Sequence, residues 1–332
     1  MKKLLCLSLV AVLASILTGC NGKKSDKEVT LVMAEVNPEG TISAEMDKAF
    51  KEKVEELSGG KIKVDLKFGG TLGDEQTIME LLTKPHSTIQ LERISAFNLA
   101  SYGCEKSMLL AIPFTFSSKN HFWNFANSSL ADQVLAEPYE KNVGIRGLFF
   151  GEEGFRHFFA TQPLTSIEDF NGRKMRVTSD PVMLGIAHGL KTNPVSVNFS
   201  DLYSALQTGV ADGAEQPIAN YLANHFHRIA PYMILDGHTL GVTEVIIAAE
   251  AWDSLSENQQ KILIEAGKYA GEVCRKFSQE AEDKAMMQLE ADGAKFTAVN
   301  DITPWQEACA DIITKSANIA PELYKEILDF SK

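Results

Sequence analysis

The 332-residue chain predicts an α/β fold, and three observations carry that expectation. Short apolar or alternating runs recur between amphipathic helical stretches, the pattern of strands and helices packed in layers. No G-x-G-x-x-G or P-loop sequence opens any of those helices, so the class is predicted without a nucleotide-binding loop. One helical pattern, 256–292, continues for about 37 residues without a proline. That is roughly three times the mean globular helix of about 11–12 residues, a length suited to crossing between domains.

Taken in order, 29–35 (VTLVMAE) reads as an apolar strand and 43–57 as an amphipathic helix closed by Gly59-Gly60. Residues 61–68 (KIKVDLKF) alternate charged and apolar side chains, the mark of a half-buried strand. Helices are expected at 74–83 and at 120–141, the latter broken near Asn127-Ser128. The run 143–150 is a further strand, ending at Gly151. Arg156 (in GFRHFFA) and Arg176 (in NGRKMRV) are predicted on short strands; along RKMRV, Met175 and Val177 point one way and Arg176 the other. A helix is expected from Phe199 to Asp212, leading into ADGAEQP, and 305–332 holds one more helical stretch interrupted at Pro321. No internal repeat is visible.

The N-terminus has the layout of a secretory leader: Lys2 and Lys3, an apolar run over 4–13, then Leu17-Thr18-Gly19-Cys20. The apolar run is too short for a lasting membrane span. Residues 21–28 (NGKKSDKE) read as a polar tether that stays solvated. With 45% hydrophobic residues there is enough chain for two domains and a sizeable core. Removing the leader takes away Lys2, Lys3 and no acids, lowering the formal charge from −12 to −14. That balance argues against nucleic acid and against a basic membrane-binding face. An anionic ligand would have to be held by local cations, and an arginine fork is suited to bidentate capture of a carboxylate.

Enzyme motifs such as G-x-S-x-G and H-E-x-x-H are absent, so no catalytic residues are assigned. Among the five cysteines, Cys104, Cys274 and Cys309 lie beyond the leader with no C-x-x-C spacing, which predicts neither a metal site nor a disulfide framework. His225 and His227 fall in NHFHRIA, which reads as helix or turn, and are not assigned a metal. Adjacent Glu152 and Glu153 read as a solvated corner. No cofactor is implied.

The segments GFRHFFA, DFNGRKMRV and YSALQTGVADGAE, in that order and spacing, resemble the solute-binding proteins of tripartite ATP-independent periplasmic (TRAP) transporters, the DctP family. GGTLGDEQTIMELL, LLAIPFTF and AAEAWDSLSENQQKILIEA resemble further family segments, so the likeness covers roughly 29–330. L-T-G-C resembles a bacterial lipoprotein signal, which implies Cys20 as the lipidated first residue and an extracytoplasmic, acyl-anchored protein.

The resemblance implies two α/β lobes of the periplasmic-binding-protein kind with ligand in the cleft between them. Lobe I would comprise 29–153 and 242–281, and lobe II 154–241 and 282–332. It implies Arg176 as the main carboxylate clamp, Arg156 beside it, and Phe199 against the ligand's carbon skeleton. Gln216 stands where many members carry asparagine. Glu75, Glu92, Arg93, Glu215, His238, Glu35 and Asn37 complete the expected ligand contacts. One arginine pair among many hydrogen-bonding groups suits a hexuronate such as D-glucuronate or D-galacturonate; a C4-dicarboxylate, 2,3-diketogulonate or a keto acid is the alternative. If Arg93 faces the cleft, a diacid gains ground, whereas Glu75 and Glu92 would repel its second carboxylate. The implied partners are a small and a large integral membrane subunit. An adhesin, or a binding protein for another transporter type, has no comparable motif in its favour.

Overall fold

The computed structural model describes residues 26–331. Its strands are β1 (Val29–Ala34), β2 (Ile62–Lys67), β3 (Leu91–Ser95), β4 (Ile145–Ala160), β5 (Lys174–Arg176), β6 (Asn193–Val195), β7 (Gly213–Pro217), β8 (Tyr232–Ala248) and β9 (Lys295–Ala298). They form a mixed sheet in the order β2-β1-β3-β8-β4-β7-β5-β6, with β9 on β8. β1 is parallel to both β2 and β3, and β5 is parallel to both β6 and β7. Parallel neighbours need crossover connections, which the intervening helices supply on each side.

The fold is two-lobed, and β4 and β8 join the lobes. These two strands pair antiparallel from Ile145↔Ala248 to Ala160↔Tyr232. The C-terminal part of β8 pairs β3, from Leu91↔Ile247 to Ser95↔Thr243. Its N-terminal part pairs β9, while the far end of β4 pairs β7. The register slips between Glu152 and Phe155, where Gly154 adopts φ +92°. A register slip of this kind bends and twists a strand locally.

β4 therefore does not stop at Gly151 as the sequence suggested. It continues to Ala160, so Arg156 stands on a long strand rather than a short one. The helix expected from Phe199 to Asp212 is a 3-10 turn over Phe199–Asp201 and a short α-helix over Leu202–Gln207. Gly209, at φ +71°, lies just beyond it, a left-handed geometry that glycine adopts without steric cost. The C-terminal region forms three helices: Thr303–Ala308, Ala310–Ala317 and Pro321–Asp329.

The long helix, Glu257–Ala291, has 35 residues and spans about 52 Å at 1.5 Å per residue. Ser256 and Gln259 close a capping box at its start. The helix packs on helix Ile42–Leu57, on β4 and on helix Ile218–Ala223, touching elements at both ends of the sheet. At Gly267 a Cβ would lie 2.4 Å from a Phe149 ring carbon, so glycine permits this close approach. Ser256 Oγ and Asn258 Nδ2 hydrogen-bond the Asp26 carboxylate, and Gln259 Nε2 donates to Lys27 O. The last residues of the expected tether are thus held against the folded body, because the helix start offers them polar partners. Cys20 and 21–25 lie outside the described residues.

Phe50, Phe122, Phe125, Phe149 and Phe150 fill one apolar core; Phe158, Phe170, Met175 and Trp305 centre another. Cys104, Cys274 and Cys309 are buried free thiols. Among the described residues no helix is long and apolar enough to cross a membrane.

Candidate functional site

A cavity of about 430 Å³ opens where the two halves of the sheet meet. Asn37, Glu75, Arg93 and Ser95 line it from the β1–β3 side; Arg176, Phe199, Gln216 and Asn220 line it from the β5–β7 side. Glu153 and Arg156, from the middle of β4, line it as well. Such a volume suits a small organic ligand.

Three arginines reach this cavity, and they differ in what answers their charge. Arg93 is 1% exposed. Its Nε and Nη2 donate to Glu35 at 2.8 and 2.6 Å, and its Nη1 donates to Glu75 at 2.8 Å. Burial alone would lower the guanidinium pKa, but Glu35, Glu153 and Glu75 outweigh it and raise it further. Arg156 is clamped by Glu215 through Nε and, at 3.0 Å, through Nη2, and its guanidinium lies over the Phe97 ring at 5.2 Å. Arg176 has no carboxylate ion partner among the described residues. Its Nε donates to Val197 O at 2.9 Å, which aims the fork and leaves Nη1 and Nη2 for the cavity. Burial pulls the Arg176 pKa down, which an incoming anion would oppose.

Carboxylates outnumber cations around this floor. Glu75 accepts from Arg93, from Ser95 N and Oγ at 3.2 and 3.1 Å, and from Asn98; burial raises its pKa. Asp47 sits behind Glu35, and burial followed by the Glu35 charge holds it well above the usual carboxylate range. Behind Arg156, His238 Nδ1 bonds Asp236 Oδ2 at 2.7 Å, and its ring stacks on Phe158. Burial opposes the His238 imidazolium, yet Asp236 and Glu215 raise it to about 9.

Of the residues singled out from the sequence, Asn37, Glu75, Arg93, Arg156, Arg176, Phe199 and Gln216 line the cavity. Glu35, Glu215 and His238 do not: Glu35 and Glu215 lie behind Arg93 and Arg156 as their charge partners, and His238 stands beside Glu215, 3.8 Å from its Oε2. Glu92 requires a correction. It follows β3's alternation away from Arg93, is 1% exposed, has no hydrogen-bond partner among the described residues and is pushed well above the usual range by burial. Glu152 and Glu153 are also corrected: they are 1% and 2% exposed, not a solvated corner. The cause is that β4 runs on through them into the second lobe, which buries both against the long helix and the cavity floor.

Sequence reasoning missed Glu153, Phe97, Asn98, Asp180 and Asn220, all of which line the cavity. Asp180 caps helix Pro181–Gly189 through the amides of Val182 and Met183, both at 3.0 Å. Asn220 is buried, and its Oδ1 has no hydrogen-bond partner among the described residues. Its position, just after the E-Q-P strand, was the available signal.

The model of the family described as bacterial extracellular solute-binding protein, family 7 (DctP), matches residues 33–318. The chain belongs to this family. A solute-binding protein of Sulfitobacter sp. strain NAS-14.1 is 29% identical over 253 residues, 75% of this chain and 74% of that one. A TRAP periplasmic solute-binding protein of Bradyrhizobium sp. BTAi1, solved with galacturonate, superposes with a TM-score of 0.86 at 26% identity, covering 91% of this chain and 100% of that one. One from Pseudomonas putida F1, solved with D-glucuronate, has a TM-score of 0.86 at 24% identity, covering 90% and 96%. These family 7 proteins are extracytoplasmic binding components of transporters, not enzymes. The two-lobed fold of this chain is that of a TRAP solute-binding protein.

Proposed function

We propose that this chain captures a monocarboxylate sugar acid, a hexuronate such as D-galacturonate or D-glucuronate, for a TRAP transporter. The observation that carries the reading is the asymmetry of the three arginines. Arg93 and Arg156 are already answered by Glu35, Glu75 and Glu215, which leaves Arg176 to hold one carboxylate. Asn37, Ser95, Asn98, Gln216 and Asn220 then offer neutral donors and acceptors to hydroxyl groups. A second carboxylate would meet Glu75 and Glu153. Arg93 does face the cavity, but it carries its own acids. Galacturonate in the Bradyrhizobium relative supports the same class.

The reading extends to lipid anchoring at Cys20, delivery to a small and a large membrane subunit, and lobes divided at 153/154, 241/242 and 281/282. The Glu152–Phe155 register slip supports a hinge at the first of these. A thermal-shift series against uronates, aldonates, C4-dicarboxylates and keto acids tests the ligand class. A ligand at about 100 times its dissociation constant adds about 2.7 kcal/mol of stability. Shifts with uronates are expected; shifts with diacids alone, or with no acid, would overturn the reading.

A further inference from the structure

Glu153 occupies a place in the cavity that the arginine clamp does not explain. Its Oε1 accepts from Asn37 Nδ2 at 3.0 Å and from Ser43 Oγ at 2.7 Å. The same carboxylate lies 3.8 Å from Nη1 of Arg93 and 3.8 Å from Nη1 of Arg156, beyond hydrogen-bond length in both cases. Two neutral donors therefore fix one oxygen, while Oε2 has no hydrogen bond to a described residue and the group faces the cavity.

Position decides what Glu153 can read. Arg176 stands on β5, and β7 separates β5 from β4 in the sheet. Two strand spacings of about 4.8 Å place Arg176 about 10 Å across the sheet from β4. Arg176 is in register with Ala214 of β7 and, through it, with Phe159 of β4; Glu153 lies six residues back along β4 from there, past Arg156 toward the first lobe. A sugar acid whose carboxylate is held by Arg176 extends toward Glu153 with its far end. That end meets an oriented acceptor beside two guanidiniums whose charge is already matched.

We propose that Glu153 is a specificity-determining residue that accepts a hydrogen bond from the ligand's terminal hydroxyl and rejects a second carboxylate at that end. The inference rests on the sugar-acid reading of the cavity and assigns its distal recognition. The oxygen held by Asn37 and Ser43 keeps the carboxylate from swinging away, so a distal anion cannot displace it. Like charges brought together in a buried site cost several kcal/mol, against 1.4 kcal/mol per tenfold in affinity.

The test compares D-galactonate with galactarate, open-chain acids that differ only in whether C6 is a primary alcohol or a carboxylate. Both are measured by calorimetry, with D-galacturonate as the reference ligand. Wild type is expected to favour galactonate over galactarate by at least about 30-fold, on the like-charge scale above. Glu153→Gln keeps an acceptor oxygen for Asn37 and Ser43 and removes the charge, and should narrow that ratio by tenfold or more. Glu153→Asp keeps the charge and should keep the rejection of galactarate, separating charge from packing. Unaltered melting temperatures would show both variants folded. If wild type binds galacturonate and Glu153→Gln leaves the galactonate-to-galactarate ratio unchanged, Glu153 loses this role while the sugar-acid reading stands. If wild type binds none of the three acids, both fall together.

Discussion

Arg156 and Arg176 look equivalent in a sequence, each an arginine among strand-forming residues, yet the structure gives them different work. Removing Arg156 would leave Glu215 buried with its main cation gone, a change that costs about 3–5 kcal/mol in comparable pairs. Removing Arg176 strands no carboxylate. Arg176→Ala should therefore weaken sugar-acid binding by at least about 30-fold on the scale of a lost buried charge contact, with little loss of stability. Arg156→Ala should lower the urea midpoint markedly. Calorimetry and urea titration of the two variants check this, and equal stability losses would mean that Arg176 has a structural partner. The same scale shows where pattern reading could have gone further. Glu92 and Arg93 are neighbours on one strand, and period-two alternation forbids both from facing the cavity.

At the scale of elements, the long helix and the crossing strands were legible unequally. The helix was readable over almost its full length because its capping box and proline-free apolar periodicity are local properties. β4 was cut short at Gly151, since glycine usually ends a strand pattern and the continuation EEG looks polar. Here Glu152 is buried beside the long helix, with Gly154 N donating to its Oε2 at 2.6 Å, and Gly154 takes up the register slip at φ +92°. A Cβ on Gly154 would meet Glu282 Oε1 at 1.9 Å, and Glu282 is held by Lys119. Gly154→Ala should thus destabilise the protein by about 1–3 kcal/mol, the usual cost of a disfavoured backbone conformation. A shift of the urea midpoint reads it. An unchanged midpoint would show that the crossover relaxes freely.

The whole molecule buries more ionisable groups than its two lobes need for packing, and this sets its response to pH. Burial raises Glu244 to about 8, and His238 is raised to about 9 once Asp236 and Glu215 outweigh its burial. In both cases the folded state binds more protons than the unfolded one, so stability falls as pH rises. The windows run from the ordinary value of 4.5 to about 8 for Glu244, and from 6.5 to about 9 for His238. Asp236 works in the opposite sense: His238 outweighs burial and holds it at about 2, so its contribution is present above 3.8 and lost as pH falls toward 2. The melting temperature should decline between pH 6.5 and 9. Glu244→Gln, which carries no titrating proton, should decline less and exceed wild type above pH 8. Parallel melting curves for the two proteins across that range would remove Glu244 from the account.

The chain alone determined its class, its long helix, its family likeness and the arginines of its cavity, because these depend on local periodicity and on residue types at short spacing. Tertiary structure decided which arginine is left to meet a ligand. It set Glu215 and His238 behind Arg156 and brought Glu153 to the cavity floor. Those outcomes depend on partners far along the chain, such as Arg93 with Glu35 at 58 residues, Arg156 with Glu215 at 59 and Glu153 with Asn37 at 116, and no local pattern encodes them. Charge neutralisation is a pairwise property of the folded chain, so a residue's identity can announce a cation while only its neighbours decide whether that charge is available.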